Sequence, residues 1–91
     1  LYVCPARHEV TVNNEPVALT LKEFKLLCLL LQKQGAVADR EEILRRIWGY
    51  DYDGESRTVD VHVRTLRQKL GSAGAYIETV KGMGYKIGGL T

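Results

Sequence analysis

RTVDVHVRTLRQKL, residues 57–70, is the stretch that decides the fold. At about 100° per residue, the spacing of an α-helix, its apolar residues form one narrow stripe, which is typical of a helix packed on a core. The stripe consists of Val59, Val63, Leu66 and Leu70. The opposite side gathers Arg57, Val61, Arg64 and Gln68, with Thr65 beside them and Thr58 and His62 on the flank. Because side chains of these types can read a DNA groove, the sequence predicts a helix with a core side and a DNA side.

The rest of the chain has the length and composition of one ordinary globular domain. It has 91 residues, 45% of them hydrophobic and 26% charged, which suffices for a modest core without disulfides. Its longest apolar run, residues 26–31, is far shorter than the roughly 20 residues of a membrane span. Cys4 and Cys28 lack the spacing of a metal site or a disulfide framework. We expect reduced thiols, no metal or other cofactor, no membrane contact and a cytoplasmic location.

The net charge of +2 is distributed unevenly along the chain. Residues 1–54 carry seven Lys/Arg and eight Asp/Glu, a net −1, whereas residues 55–91 carry six and three, a net +3. The basic surplus therefore lies in the half that contains the deciding helix. Such asymmetry favours contact with nucleic acid, although a surplus this small also fits a solvated face.

Elements on either side of the deciding helix define a small α+β domain. Three β-rich runs, residues 1–4, 9–12 and 16–19, predict an antiparallel sheet within residues 1–19. Three helices follow within residues 20–71, the third beginning near Ser56. The first two begin at the capping pairs Thr20 with Glu23 and Asp39 with Glu42, and the three end at Gly35, Gly49 and Gly71.

The C-terminal part of the chain predicts a β-hairpin in residues 76–87 that we expect to form a wing. Two β-like runs, residues 76–81 and 85–87, flank Gly82-Met83-Gly84. We interpret these glycines as turn residues, because a phosphate-binding loop needs a following helix. The first two helices are expected to supply the core residues Phe24, Leu26, Leu27, Cys28, Leu29, Leu30, Leu31, Ile43, Leu44, Ile47 and Trp48.

Individual side chains fit distinct DNA contacts. Arginine can donate two hydrogen bonds to guanine and an apolar side chain can meet the thymine methyl, so we predict that Arg64 and Val61 read bases. An exposed Val61 would mean little alone, because single exposed apolar residues are common. Lys81 at the wing tip is suited to phosphates or the minor groove. The start and flanks of the helix are suited to phosphate contacts, which we assign to Arg57, Thr58, Arg67 and Lys69. We expect His62 to contact either a phosphate or the groove.

Two further features allow more than one interpretation. The indole N–H of Trp48 could serve a backbone acceptor inside the fold or a phosphate outside it. The loop after the second helix is either a solvated connection or a protein contact anchored on tyrosines. This loop contains Tyr50, Asp51, Tyr52 and Asp53. We find no nucleophile with a nearby base, no paired carboxylates in a pocket and no metal-ligand pattern, so we do not expect an enzyme.

Taken together, these motifs resemble the winged-helix output domains of OmpR/PhoB-type two-component response regulators. Any one motif is weak, but their order and spacing are specific and cover nearly the whole chain. The matching stretches are LTLKEFKLL at 19–27, REEIL at 40–44, IWG at 47–49, RTVDVHVR at 57–64 with Leu66-Arg67, and TVKGMGY at 79–85. The resemblance implies a winged helix-turn-helix domain over residues 1–91 that binds duplex DNA sequence-specifically and regulates transcription.

The resemblance also implies roles for single residues and partners. The third helix would enter the major groove, the wing would lie at the minor groove, and the loop over residues 49–55 would engage RNA polymerase. DNA contacts would come from Arg57, Thr58, Val61, His62, Arg64 and Arg67, from Trp48, and from Thr79, Lys81, Gly82 and Tyr85 of the wing. Helix geometry adds Thr65 and Gln68 to this set.

Two residues depart from the family pattern. Thr65 stands where many members carry a second arginine, so the operator sequence of another family member cannot be assigned to this chain. Lys81 replaces the usual wing arginine and lacks its planar fork. The receiver domain with its phosphorylated aspartate is absent, so we expect an output half whose partners include that domain and a sensor kinase. We expect a monomer that pairs in tandem on adjacent half-sites.

A winged helix used for protein contacts is the alternative interpretation. Its docking surface would be the loop over residues 50–53 together with Val61, and its partner binding would be insensitive to salt. A nonspecific architectural DNA binder is a third interpretation, but it needs a larger basic excess than +2. Three arginines on the exposed side and flank of one helix favour specific DNA binding.

Overall fold

The structure is a computed structural model that describes residues 1–88. These residues form two three-stranded antiparallel sheets and three helices, which confirms the predicted α+β winged-helix fold. The strands are β1 (Tyr2–Cys4), β2 (Glu9–Val12), β3 (Glu15–Pro16), β4 (Ala38–Asp39), β5 (Ile77–Val80) and β6 (Gly84–Ile87). The helices are α1 (Leu21–Gln32), α2 (Arg40–Ile43) and α3 (Arg57–Leu70). A π-helical turn, Leu44–Trp48, continues α2, and 3-10 turns cover Pro5–Arg7 and Gly71–Tyr76.

The N-terminal sheet has the strand order β1-β2-β3. Its central strand buries Val10 against the helices. The third strand is shorter than predicted and ends at Pro16 rather than continuing to residue 19. Proline has no N–H for the ladder, and beyond it only the amide of Val17 donates to the carbonyl of Val10, at 2.9 Å.

The first two helices begin at the predicted caps, but the caps differ. At α1 the capping box is complete: the Thr20 hydroxyl accepts from the Glu23 amide, and the Glu23 carboxylate accepts from the Thr20 amide. At α2 the Asp39 carboxylate accepts from the Glu42 amide at 2.8 Å. The reciprocal bond is missing there because the Glu42 carboxylate accepts from Lys33 Nζ instead, at 2.9 Å.

The core lies between α1 and α3, and the apolar stripe of α3 is buried as predicted. Cys28 and Leu31 were expected in the core but are only half-buried, as is Trp48. No helix in the described part of the chain is long and apolar enough to cross a membrane. The largest fully buried side chains within residues 1–88 are Leu26, Leu27, Leu30, Ile43, Val59, Val63, Leu66 and Leu70.

The second sheet joins the wing to the helices. Its strand order is β4-β6-β5, so the hairpin of β5 and β6 pairs with a two-residue strand that the sequence did not predict. In this pairing Asp39 lies opposite Gly84. A Cβ atom on Gly84 would lie 2.2 Å from the carbonyl oxygen of Ala38, and the φ angle of Gly84 is +153°. Glycine thus permits the close approach of the wing to the start of α2.

Candidate nucleic-acid interface

The outer face of α3 is fully available to a partner. We call this set the recognition face: Arg57, Val61, Arg64 and Gln68, all of them exposed. Val61 keeps 53% of its surface exposed, between the two arginines of this face. Within residues 1–88 neither Arg57 nor Arg64 forms an ion pair. The recognition face therefore presents two unpaired cations on either side of an apolar group.

A group of aromatic rings lies on the flank of the recognition face. The Nδ1 of His62 donates to the Thr58 carbonyl at 2.8 Å, which fixes the ring orientation. The His62 ring meets Trp48 edge to face, with centroids 4.8 Å apart, and Tyr52 lies 6.1 Å from Trp48. The Nζ of Lys22, at the start of α1, lies 5.7 Å from the Trp48 centroid. We call Lys22, Trp48, Tyr52 and His62 the Trp48 cluster.

The sequence had no signal for Lys22 in this cluster. Lys22 lies in α1, far from α3 in the sequence, and a single exposed lysine on a helix is common. Only the packing of α1 beside the end of the π-helical turn brings Lys22 to Trp48. The prediction for Trp48 allowed a core role or an outward contact, and its half-buried position keeps both open.

Thr65 and Lys69 lie on the inner side of the interface and bind a buried carboxylate. Glu23 is 3% exposed, and its oxygens accept from the Thr65 hydroxyl at 2.8 Å and from Lys69 Nζ at 2.7 Å. Burial alone would raise the pKa of Glu23, but hydrogen bonds from Lys69, the Thr20 amide and Thr65 lower it to about 2. Both groups hold α3 against α1, and their predicted DNA contacts stay predictions.

Arg67 is also engaged inside the domain. Its Nε and Nη2 donate to the Ile77 carbonyl at 3.0 and 2.7 Å, and Nη2 also donates to the Thr79 hydroxyl at 2.8 Å. The planar guanidinium therefore joins α3 to the first wing strand. The phosphate contact expected from Arg67 stays a prediction, and the structure adds these bonds to the wing. Thr79 remains exposed beside it.

Tyr85 is a further predicted contact residue that makes a hydrogen bond within the domain. Its side chain is 5% exposed, and its hydroxyl donates to Asp60 of α3. The same carboxylate oxygen accepts from Arg40 Nε at 2.8 Å. Burial would raise the pKa of Asp60, but the bonds from Tyr85 and Arg40 outweigh it and lower the pKa. Burial and Asp60 raise the pKa of Tyr85, so the proton stays on the phenol.

Two cations also stack on the Tyr85 ring. The guanidinium carbons of Arg40 and Arg67 lie 5.5 and 5.7 Å from the ring centroid. These distances are within the range of cation–π attraction. Residues from α2, α3 and the wing therefore meet at one tyrosine.

The wing tip and the loop after the π-helical turn are the remaining predicted contact regions. Lys81 and Gly82 are exposed at the tip, where Met83 keeps 59% of its surface exposed. In the loop, Tyr50 is 86% exposed, whereas Tyr52 leans on Trp48 and is 36% exposed. The two tyrosines that the sequence grouped together therefore have different surroundings. Asp51 and Asp53 are exposed beside them.

A helix-turn-helix whose last helix is braced by a β-hairpin defines the winged-helix class. The family described as "Transcriptional regulatory protein, C terminal" matches residues 14–87. The chain belongs to this family, the winged-helix DNA-binding output domains of OmpR/PhoB-type response regulators, as its motifs predicted.

Similar proteins include the sensory transduction protein RegX3 of Mycolicibacterium smegmatis, 46% identical over 86 residues. That match covers 91% of this chain but only 38% of RegX3. Among solved structures, the DNA-binding domain of Bacillus subtilis CssR has a TM-score of 0.85 and 39% identity, covering 96% of this chain and 98% of that one. The Klebsiella pneumoniae RstA DNA-binding domain in complex with RstA box has a TM-score of 0.82 and 35% identity, covering 93% and 87%.

Proposed function

We propose that the chain binds specific duplex DNA with α3 in the major groove and the wing at the adjacent minor groove. The recognition face carries this proposal, because it combines unpaired Arg57 and Arg64 with exposed Val61 on one side of a helix. Arg64 would donate to guanine, and Val61 would contact a thymine methyl. The RstA complex with its DNA box supports this use of the fold.

The remaining contacts would position the domain on the duplex. Phosphate contacts carry little sequence information but set the register. We assign them to Arg57, Thr58, His62, Gln68 and Trp48 on the helix side and to Thr79, Lys81 and Gly82 on the wing. We leave Thr65, Arg67, Lys69 and Tyr85 out of this contact set, because each already makes hydrogen bonds within the domain.

Affinity for DNA should fall steeply with salt. If about five or six phosphates are contacted, the slope of log K against log salt is about −5. A module that docks only proteins would show little salt dependence. The unpaired arginines of the recognition face favour DNA over this alternative.

Selection from random duplex DNA tests the proposal directly. The wild-type chain should enrich one sequence motif, and Val61→Ala should lose preference at one thymine position. Tyr2→Ala is the matched control, because Tyr2 is 54% exposed but lies in the N-terminal sheet. If the wild-type chain enriches no motif, sequence-specific binding is wrong.

We further propose that the chain acts within a longer cytoplasmic regulator. RegX3, of which this chain spans 38%, is a sensory transduction protein. A receiver domain and a sensor kinase would then control this output domain, and two copies would pair on adjacent half-sites. The exposed Tyr50 and its acidic neighbours Asp51 and Asp53 would meet RNA polymerase. We propose no catalytic role, in keeping with a family of transcription regulators.

A further inference from the structure

We propose that Lys22 of α1 is a phosphate contact of the DNA interface, outside the helix-turn-helix and the wing. This inference rests on the proposed function. Lys22 is the second residue of α1, and its side chain is exposed. Within residues 1–88 its ammonium forms no ion pair, whereas Lys33 and Lys69 both bind carboxylates. A free, exposed ammonium is a strongly hydrated point charge that suits a phosphate.

The place of Lys22 relative to α3 is the second step. Its Nζ lies 5.7 Å from the Trp48 ring centroid, and that ring meets His62 of α3 at 4.8 Å. Lys22 therefore belongs to the same flank of the interface as His62. A duplex seated on the recognition face passes its sugar-phosphate backbone along the flanks of the helix. The Trp48 cluster thus offers one backbone segment an indole, an imidazole and a cation together.

The Trp48 ring also holds the ammonium in place. A cation within about 6 Å of an aromatic face is attracted to it, even at exposed sites. This contact limits the positions that a flexible lysine side chain adopts, so less freedom is lost when a phosphate binds. Lys25, on the same helix, provides a contrast: it is exposed and borders a cavity shared with His8 and Arg46, and within residues 1–88 its ammonium has no cation–π contact.

Three single variants test the inference, Lys22→Gln, Lys22→Arg and the control Lys25→Gln. Each is titrated by fluorescence anisotropy with the duplex enriched by wild-type selection and with one unrelated duplex, over a series of potassium chloride concentrations. Loss of one phosphate contact reduces the salt slope by about 0.9 and the affinity at 0.15 M salt about fivefold. We expect this for Lys22→Gln on both duplexes, little change for Lys22→Arg, and none for Lys25→Gln.

The outcomes separate this inference from the proposed function. If wild type binds the enriched duplex but Lys22→Gln keeps the wild-type salt slope, the phosphate contact is wrong. A weaker affinity with an unchanged slope also contradicts it, because that result assigns Lys22 to packing on Trp48 alone. Equal slope losses in Lys22→Gln and Lys25→Gln would show a general charge effect and contradict it as well. If wild type binds neither duplex, the proposed function itself fails.

Discussion

The phenol of Tyr85 in the wing donates a hydrogen bond to the carboxylate of Asp60 in α3, and Arg40 of α2 binds the same oxygen. One carboxylate thereby joins the second helix, the third helix and the wing. The arrangement matters because the groove contacts of α3 and the wing must have a fixed relative position to meet one duplex. In the proposed complex, Tyr85 and Asp60 would fix this relative position rather than contact DNA.

Tyr85→Phe should weaken the fold and DNA binding without removing a phosphate contact. Loss of one hydrogen bond lowers the free energy of unfolding by about 1 kcal/mol, while Arg40 still satisfies Asp60. Urea unfolding measures this loss. Anisotropy titrations over a salt series should show weaker binding with an unchanged slope. Tyr76→Phe is the control, because the Tyr76 hydroxyl forms no hydrogen bond within the described residues. If the salt slope of Tyr85→Phe falls by about 0.9, Tyr85 contacts a phosphate after all.

Glu23→Gln should reduce stability at neutral pH but not near pH 2. The pKa of Glu23 lies at about 2 in the fold against 4.5 for the free side chain. A lowered pKa stabilises the fold fully above the unfolded value, and this stabilisation is lost as the pH falls towards the folded value. The shift corresponds to about 3 kcal/mol. We expect Glu23→Gln to be less stable by roughly 1 to 3 kcal/mol at pH 7.

The measurement is urea unfolding of wild type and Glu23→Gln at several pH values between 7 and 2. The two curves of stability against pH should converge as wild-type Glu23 becomes protonated. Glu15→Gln serves as control, because Glu15 is exposed in β3 and has no ion pair within residues 1–88. A stability difference that stays constant down to pH 2 would contradict the charge-based account.

Arg64→Ala and Lys81→Ala should affect DNA binding in different ways. Loss of a bidentate arginine costs roughly 1 to 3 kcal/mol and relaxes preference at one base pair. Loss of a phosphate-binding lysine weakens all sequences alike and lowers the salt slope by about 0.9. Binding to the enriched duplex and to its single-base variants distinguishes the two. Equal losses on every sequence for Arg64→Ala would contradict its base-reading role.

The two tyrosines of the loop should separate DNA binding from polymerase contact. Tyr52→Ala removes a ring from the Trp48 cluster. We expect DNA binding to weaken about threefold to tenfold, because the lost aromatic contact contributes roughly 1 kcal/mol. Tyr50→Ala should leave DNA affinity unchanged and weaken recruitment of RNA polymerase to an operator fragment. Gel-shift assays with and without polymerase measure both effects. A loss of DNA affinity in Tyr50→Ala would contradict the division.

The periodic and local features of the fold were predictable from sequence. The stripe from Val59 to Leu70 predicted both the buried and the exposed side of α3, since helix geometry alone assigns them. Thr20 and Glu23 predicted the start of α1, because a capping box needs only neighbouring residues. The strand β4 was missed, since two residues carry no pattern and acquire strand geometry only by pairing with the wing.

The contacts that depend on distant residues were not predictable. Thr65 and Glu23 are 42 residues apart, and Tyr85 and Asp60 are 25 residues apart. No local sequence pattern could therefore predict either hydrogen bond. Helix geometry placed Thr65 near the DNA side, but the packing of α1 on α3 brings its hydroxyl to the Glu23 carboxylate. We assigned Arg67 to a phosphate because of its charge, and in the structure its guanidinium donates to the Ile77 carbonyl. The residue types were informative, and their partners came from the tertiary fold.

Asp39 belongs to two elements at once, as the strand partner of Gly84 and as the cap of α2. A tilt of the wing would therefore break its pairing with the residue that caps α2. In the proposed complex α3 and the wing would then keep one spacing, and the duplex would adjust its own groove width and curvature. DNA stiffness then influences the choice of site, even at base pairs that no side chain touches.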